Sequence, residues 1–329
     1  MDSDTIRLAV RTNRALAVFT AAMVVLAVVC LAELALDPRQ LGGQPIWAKP
    51  LKFSISFVLY GATLAWMISL VAAPVARRWA RRAGLVVAVA GTVEMLAIVG
   101  QVLRGRPSHF NVATPLDLAI WSVMGTTIVV LWVATAGIGV LLLRERTLAA
   151  DTAWAVRLGL GVTLLGMAAA FLMASPTGAQ IAAAQSTGTL TTAGAHAVGV
   201  ADGGPGLPLV GWSTTGGDLR IGHFVGLHAL QGLPLLGVLL IALAPRVPVL
   251  RRVGVRARLI GVAGAAWTGL TLLLVWQALR GQSIIAPDAL TLGAAAALGV
   301  ASLGAAVAVL RAGARREHTT TPSTVLEPR

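Results

Sequence analysis

An all-α, polytopic transmembrane bundle of eight helices is the fold class this sequence predicts, and three observations predict it. The 329 residues are 57% apolar and only 12% charged, with a mean hydropathy of +0.81, more apolar surface than a water-soluble domain of this length can enclose in one core. Eight apolar runs reach the roughly 20 residues that a helix rising 1.5 Å per residue needs to cross about 30 Å of hydrocarbon. Basic residues gather between alternate runs.

The first run, 15–36, follows Arg7, Arg11 and Arg14, is long for a signal-peptide core and lacks a small-x-small exit, so it reads as a retained span. Cys30, the only cysteine, lies inside it, which leaves no internal disulfide and no cysteine metal cluster. The second run, 51–73, opens on Trp47-Ala48-Lys49-Pro50, with proline in the first turn where its missing N–H costs nothing. Runs three to five lie at 84–103, 116–143 and 153–174; the fourth is overlong and implies tilt. Segment 175–220 is rich in Gly, Ala and Thr and holds Asp202-Gly203-Gly204-Pro205-Gly206; it reads as a lid over the bundle's mouth or as a flexible linker, with 179–185 either extending the fifth helix or forming a short surface helix. Runs six to eight occupy 221–244, 258–279 and 288–311, and the tail 312–329 reads as disordered on its Arg, Thr and Pro content.

Of the 26 Lys and Arg residues, 19 flank one side of the runs and 7 the other, which places both termini in the cytoplasm. The same bias accounts for the net charge of +13, and no basic stripe carries interleaved aromatics, so nucleic acid is not an expected partner. The runs also repeat. Gln101-Val102-Leu103-Arg104-Gly105 matches Gln277-Ala278-Leu279-Arg280-Gly281, each followed by a Pro-Asp helix start, and runs two and six align without a gap. Two parallel four-helix repeats, 1–150 and 151–329, are therefore expected, related by an axis along the membrane normal.

The seven basic residues on the outer side, Arg39, Lys49, Lys52, Arg104, Arg106, Arg220 and Arg280, need a reason that topology does not supply. Lys49, Lys52, Ser56 and Tyr60 share one arc of a helix, and Arg220, His223, His228 and Gln231 form a broader stripe on the sixth run. Arg104 to Asn111 gathers two guanidinia, a hydroxyl, the His109 imidazole and an amide in eight residues, groups suited to phosphate or carboxylate oxygens. Glu94, near mid-bilayer with Gln101 two turns on, is expensive to bury ionised and should face the bundle as a proton-linked group. Asp117 and Asp288 read as helix-start partners.

The expected function is binding, with transport as its extension, of a small anionic solute or lipid headgroup in an outward-facing cavity. Lys49, Lys52, Arg104, Arg106, Arg220 and Arg280 would hold the anion, and Glu94, Gln101, His109, Asp117, His223, His228 and Gln231 would form its polar, proton-linked wall. No cofactor is needed for that. A rival from another class is a membrane enzyme in which His109, His223 and His228, joined by His196, Asp218 or Glu33, hold a metal ion or haem. A third is a ligand-free assembly or sensor subunit. No Walker loop, dinucleotide Gly motif, His-Glu-x-x-His pair or nucleophile elbow is present.

At Trp47-Ala48-Lys49-Pro50-Leu51-Lys52-Phe53, Ser108-His109-Phe110-Asn111 and Gly217-Asp218-Leu219-Arg220 through His228 the chain resembles an uncharacterised bacterial multi-pass inner-membrane protein family. The resemblance covers most of the chain and implies an inner-membrane location. It implies no activity, cofactor or catalytic residue.

Overall fold

Several of the apolar runs start on a residue that satisfies, or lacks, the orphan N–H groups of a first turn. In a computed structural model that describes Leu8 and residues 11–318, the last three as backbone alone, Asn13 opens α1 (Arg14–Leu36) by accepting from Leu16 N at 3.1 Å. A small antiparallel pair, β1 (Gln40–Leu41) and β2 (Gln44–Pro45), leads into α2 (Ala48–Ser69). α3 (Pro74–Leu103) and α4 (Pro115–Leu143) each begin on proline, and Thr114 caps α4 by accepting from Asp117 N. α5 (Ala150–Ala169) runs into a 3-10 turn at Ala170–Met173. The surface helix α6 (Gly178–Thr187) and the pair β3 (Ala197–Val198) with β4 (Gly217–Asp218) follow. α7 (Leu219–Leu227), α8 (Ala229–Leu243), α9 (Val253–Leu279) and α10 (Ala289–His318) complete the chain.

Seven of these helices are long and apolar enough to cross a membrane, and α7 with α8 makes an eighth span if the bent pair is counted as one. Large apolar side chains such as Val18, Leu96, Leu235, Val300 and Leu303 stand exposed on the outer faces, as a hydrocarbon solvent allows. The bundle is that of a multi-pass membrane protein.

The sixth run is broken rather than continuous. α7 and α8 meet at His228 with a bend of 41°. Pro234 in α8 has no N–H to return to Leu230 and its ring crowds that carbonyl, which weakens the ladder just past the bend. Carbonyls near the bend are taken by side chains instead: Trp267 Nε1 donates to Val225 O at 2.7 Å and Thr163 Oγ1 to Leu227 O at 3.1 Å. The tail differs from expectation too. α10 continues to His318, because Gly313 lets it lie against Val249 and Val255 while Arg252 donates to Gly313 O at 3.1 Å. The remainder of the expected disordered tail, 319–329, lies outside the described residues.

Packing is arranged by halves. α2 and α3 lie on α1, and α4 on α3; α7, α8 and α9 lie on α5, and α10 on α9. The halves join where α4 meets α5 and α2 meets α8. The main core follows that seam, drawing Leu64, Met67, Ile98, Met124 and Ile138 from the first half and Val156, Leu160 and Leu230 from the second. α5 and α7 touch backbone to backbone: a Cβ added at Gly166 would fall 2.6 Å from Gly226 Cα, so neither position has room for a side chain.

Candidate functional site beneath the 175–218 segment

The Gly-rich segment is folded over one end of the bundle. Gln180 closes a capping box with Thr177 and also grips Gly194, donating to its carbonyl at 2.8 Å and accepting from its N–H at 3.1 Å. Val112 N donates to Thr191 O, Ala193 N to Phe110 O and Ala195 N to Met173 O, tying the segment to the α3–α4 loop and to the end of α5. Asp202 accepts from His196 N, from Ala197 N and from His196 Nδ1 at 2.7 Å. Lys52 on α2 donates to Val210 O at 3.2 Å and to Gln44 Oε1 at 3.0 Å, while Arg220 on α7 donates to Gly211 O at 2.6 Å. Trp212 lies on Phe224, ring centroids 6.4 Å apart.

Below it, α2, α3, α4 and the α3–α4 loop bring together a polar cluster in an aromatic setting. Glu94, 1% exposed, accepts from Thr127 Oγ1 at 3.3 Å and has His109 Nε2 at 3.9 Å. Ser108 Oγ meets His109 Nδ1 at 3.2 Å. Phe53, Phe110 and Trp121 surround the His109 ring at centroid distances of 5.6 to 6.1 Å, and His196 lies on Phe110 at 4.8 Å. Lys49 Nζ stands 5.9 Å from the Phe53 ring centre. His223 joins from α7, its Nδ1 held by Gly166 O at 2.8 Å.

Burial first, then the charges of Lys49, His196 and His223, hold His109 well below 6.5, so its contact with Glu94 is that of a neutral imidazole rather than an ion pair. Burial lowers His196 as well, against the opposing pull of Asp202. Burial would raise Asp202, but its hydrogen bonds to His196 and Ala197 outweigh that and bring it down to about 2. A neutral His196 that donates from Nδ1 to an ionised Asp202 fits both directions.

Of the five other basic residues at this end, all but Arg106 are committed to aspartates. Arg104 pairs with Asp117 at 2.8 Å, Arg220 with Asp218 at 2.6 Å, Arg39 with Asp37 at 2.7 Å, and Arg280 with Asp288. The two copies of the Gln-x-x-Arg-Gly motif are built alike. Gln101 Nε2 donates to Pro107 O and to Asp117, and Gln277 Nε2 donates to Ser283 O, in each case to the carbonyl six residues on. In each, the glycine takes positive φ, 66° at Gly105 and 70° at Gly281, and the next residue returns its N–H to the Gln carbonyl.

The structure thus gathers Lys49, Lys52, Glu94, His109, His223 and Arg220 of the residues singled out in sequence. Arg104, Gln101 and Asp117 form a separate knot at the α3–α4 corner, and Arg280 forms another at the α9–α10 corner. Arg106 is exposed with no ion pair among the described residues. His228 is exposed at the α7–α8 bend, its Nδ1 3.4 Å from Gln231 Oε1. Tyr60 is buried and bonded to Thr135. Thr127, Asp202 and the aromatic ring of Phe53, Phe110 and Trp121 were not foreseen; the single accessible signal was the Asp202 turn in a Gly-rich run. Among the described residues no three His, Cys, Asp or Glu side chains are gathered closely enough to hold one metal ion.

Two surface grooves run along α10 instead, one lined by Leu272, Trp276 and Leu298, the other by Val307, Arg311 and Arg315. Both lie away from the cluster. Compared with known protein families, with curated proteins and with solved structures, the chain matches none of them.

Proposed function

We propose that the chain is an integral membrane protein that binds a small anion, a free solute or a lipid headgroup, beneath the folded 175–218 segment. Lys49 meets the anion, and Glu94 with His109 handles the accompanying proton. One observation carries this: Arg39, Arg104, Arg220 and Arg280 each have an aspartate, whereas Lys49 Nζ has no hydrogen-bond or ion-pair partner among the described residues although it stands beside an aromatic wall. An ammonium with no direct partner beside an aromatic wall is a place for an anion. Lys52 reaches only neutral oxygens and lends a second positive charge. The paired arginines serve the framework, and Arg106 is left to steer anions from solvent.

In the same proposal both termini are cytoplasmic, the membrane is a bacterial inner membrane, and residues 1–150 and 151–329 are parallel repeats. The matching hydrogen-bond layout at Gln101 and Gln277, and the parallel packing order of the two halves, support the duplication. Transport follows if the 175–218 segment opens.

A second reading rests on the imidazoles. His109, His196 and His223 each have Nδ1 occupied, by a hydroxyl, a carboxylate and a carbonyl, which leaves Nε2 of each as the nitrogen not engaged in a hydrogen bond, that of His109 turned toward Glu94. Metal-binding histidines are commonly oriented that way. Calorimetry of the purified protein with ethyl phosphate tests the first reading: Lys49→Gln should weaken binding more than about tenfold, as loss of a charge-assisted hydrogen bond does. Wild-type affinity in Lys49→Gln overturns it, and stoichiometric metal or a haem absorption band in the same preparation would favour the second.

A further inference from the structure

Along part of the seam between the two halves, α2 and α7 do not pack closely on each other. α7 packs on α5 and α9, and its contacts with α2 are negligible beside these; α2 is reached only lower down, by α8. At the top of this gap the carbonyls of the consecutive residues Val210 and Gly211 are held by Lys52 from α2 and Arg220 from α7, so those two helix faces look at each other across the segment. One turn below Lys52 on the same face is Ser56, half-buried. Below Arg220 come Phe224, half-buried, then His228, exposed, and Gln231, half-buried. The rings of Phe224 and His228 stack, 21° apart in plane.

His228 is the telling residue. It lies nine positions past Leu219, the first residue of α7, about 13 Å along the helix axis and well inside a hydrocarbon layer of about 30 Å. A polar side chain at that depth normally faces the bundle or water. Here it faces outward, with Gln231 as its sole hydrogen-bond partner among the described residues. Farther down, the same faces turn apolar and stay exposed: Leu235, Val238 and Leu239 on α8, and Ile55 and Leu59 on α2. Polar above, apolar below and open at the side is the profile of a molecule with a charged head and a hydrocarbon tail.

Building on the anion-binding reading, we infer that the ligand is a membrane amphiphile with an anionic head. It enters sideways between α2 and the α7–α8 bend, its head passing His228, Gln231 and Ser56 toward Lys49 while its tail remains against Leu235 and Leu59. The 210–212 stretch closes the top of that entrance.

Cysteine labelling tests this cleanly, because Cys30 is the only cysteine and is buried. In a Cys30→Ala background in lipid nanodiscs, His228→Cys should react with a charged, water-soluble thiol reagent at least tenfold faster than Val300→Cys, which is 73% exposed at comparable depth on α10. Dodecyl phosphate should protect His228→Cys and ethyl phosphate should not. If His228→Cys does not fold, Gln231→Cys serves in its place. A labelling rate equal to that of Val300→Cys overturns the polar entrance, and equal protection by both phosphates, or by neither, overturns the tailed ligand. Failure of the underlying reading is separate: it shows as ethyl phosphate binding that ignores Lys49→Gln.

Discussion

Two half-buried imidazoles at the folded segment give the molecule a defined response to acid. In an unfolded chain both His109 and His196 titrate near 6.5, whereas burial holds them lower in the fold. Between about pH 6.5 and the folded values the unfolded chain therefore binds more protons, and stability falls as pH drops through that window. The contribution is complete above pH 6.5. Asp202, brought to about 2 from an ordinary 3.8, adds a second loss confined to more acid solution. The melting temperature is accordingly expected to fall between pH 7.5 and pH 5, and His109→Gln combined with His196→Gln is expected to flatten that fall. Thermal scans followed by tryptophan fluorescence decide it; a double variant with the wild-type slope would mean that these rings are not what protons act upon.

At the scale of elements, the two Gln-x-x-Arg-Gly corners offer one design in two environments. Asp117 is fully buried and accepts from Gln101, Thr114 and Arg104. Asp288 is 38% exposed across from an Arg280 that is 33% exposed and that also stacks on Trp276. Removing Asp117 strands a buried amide and leaves a guanidinium that is only 36% exposed without its partner, whereas removing Asp288 returns both groups to solvent or headgroups. Asp117→Ala should therefore cost roughly 2–4 kcal/mol, discounted from a fully buried pair because Arg104 is part-exposed, and Asp288→Ala should leave stability nearly unchanged. Denaturation midpoints of the two variants measure the contrast. The corners themselves were legible in sequence because a glycine after the last helical residue and a proline before the next helix are local signals. Their ion pairing was not: nothing in the spacing says that Arg104, thirteen residues from Asp117, turns inward to it rather than outward to a ligand.

Across the whole molecule, hydropathy and charge placed the spans, since every backbone group in hydrocarbon must be bonded within its own helix and so each span announces itself as a long apolar run. The bend at His228 escaped that logic because a single proline in an apolar run does not say whether neighbouring side chains, here Trp267 and Thr163, will satisfy the loosened carbonyls. The site was legible as a set of residue types and illegible as a place, because which cations keep their charge for a ligand depends on aspartates brought near by folding. Orientation is the property that joins these levels. Among the described residues the end of the bundle carrying the 175–218 segment has 7 basic residues, and the opposite end has 17. If basic flanks resist translocation, the end with the cluster faces away from the cytoplasm and an amphiphile reaches Lys49 from the outer leaflet. Thr189 is exposed on the first of these ends and Ala149 on the second. In intact cells expressing the Cys30→Ala chain, a membrane-impermeant thiol reagent should label Thr189→Cys and spare Ala149→Cys until the membrane is broken. The reverse pattern would put the cluster on the cytoplasmic side, and the outer basic residues would then be the ordinary positive-inside residues of an inverted chain.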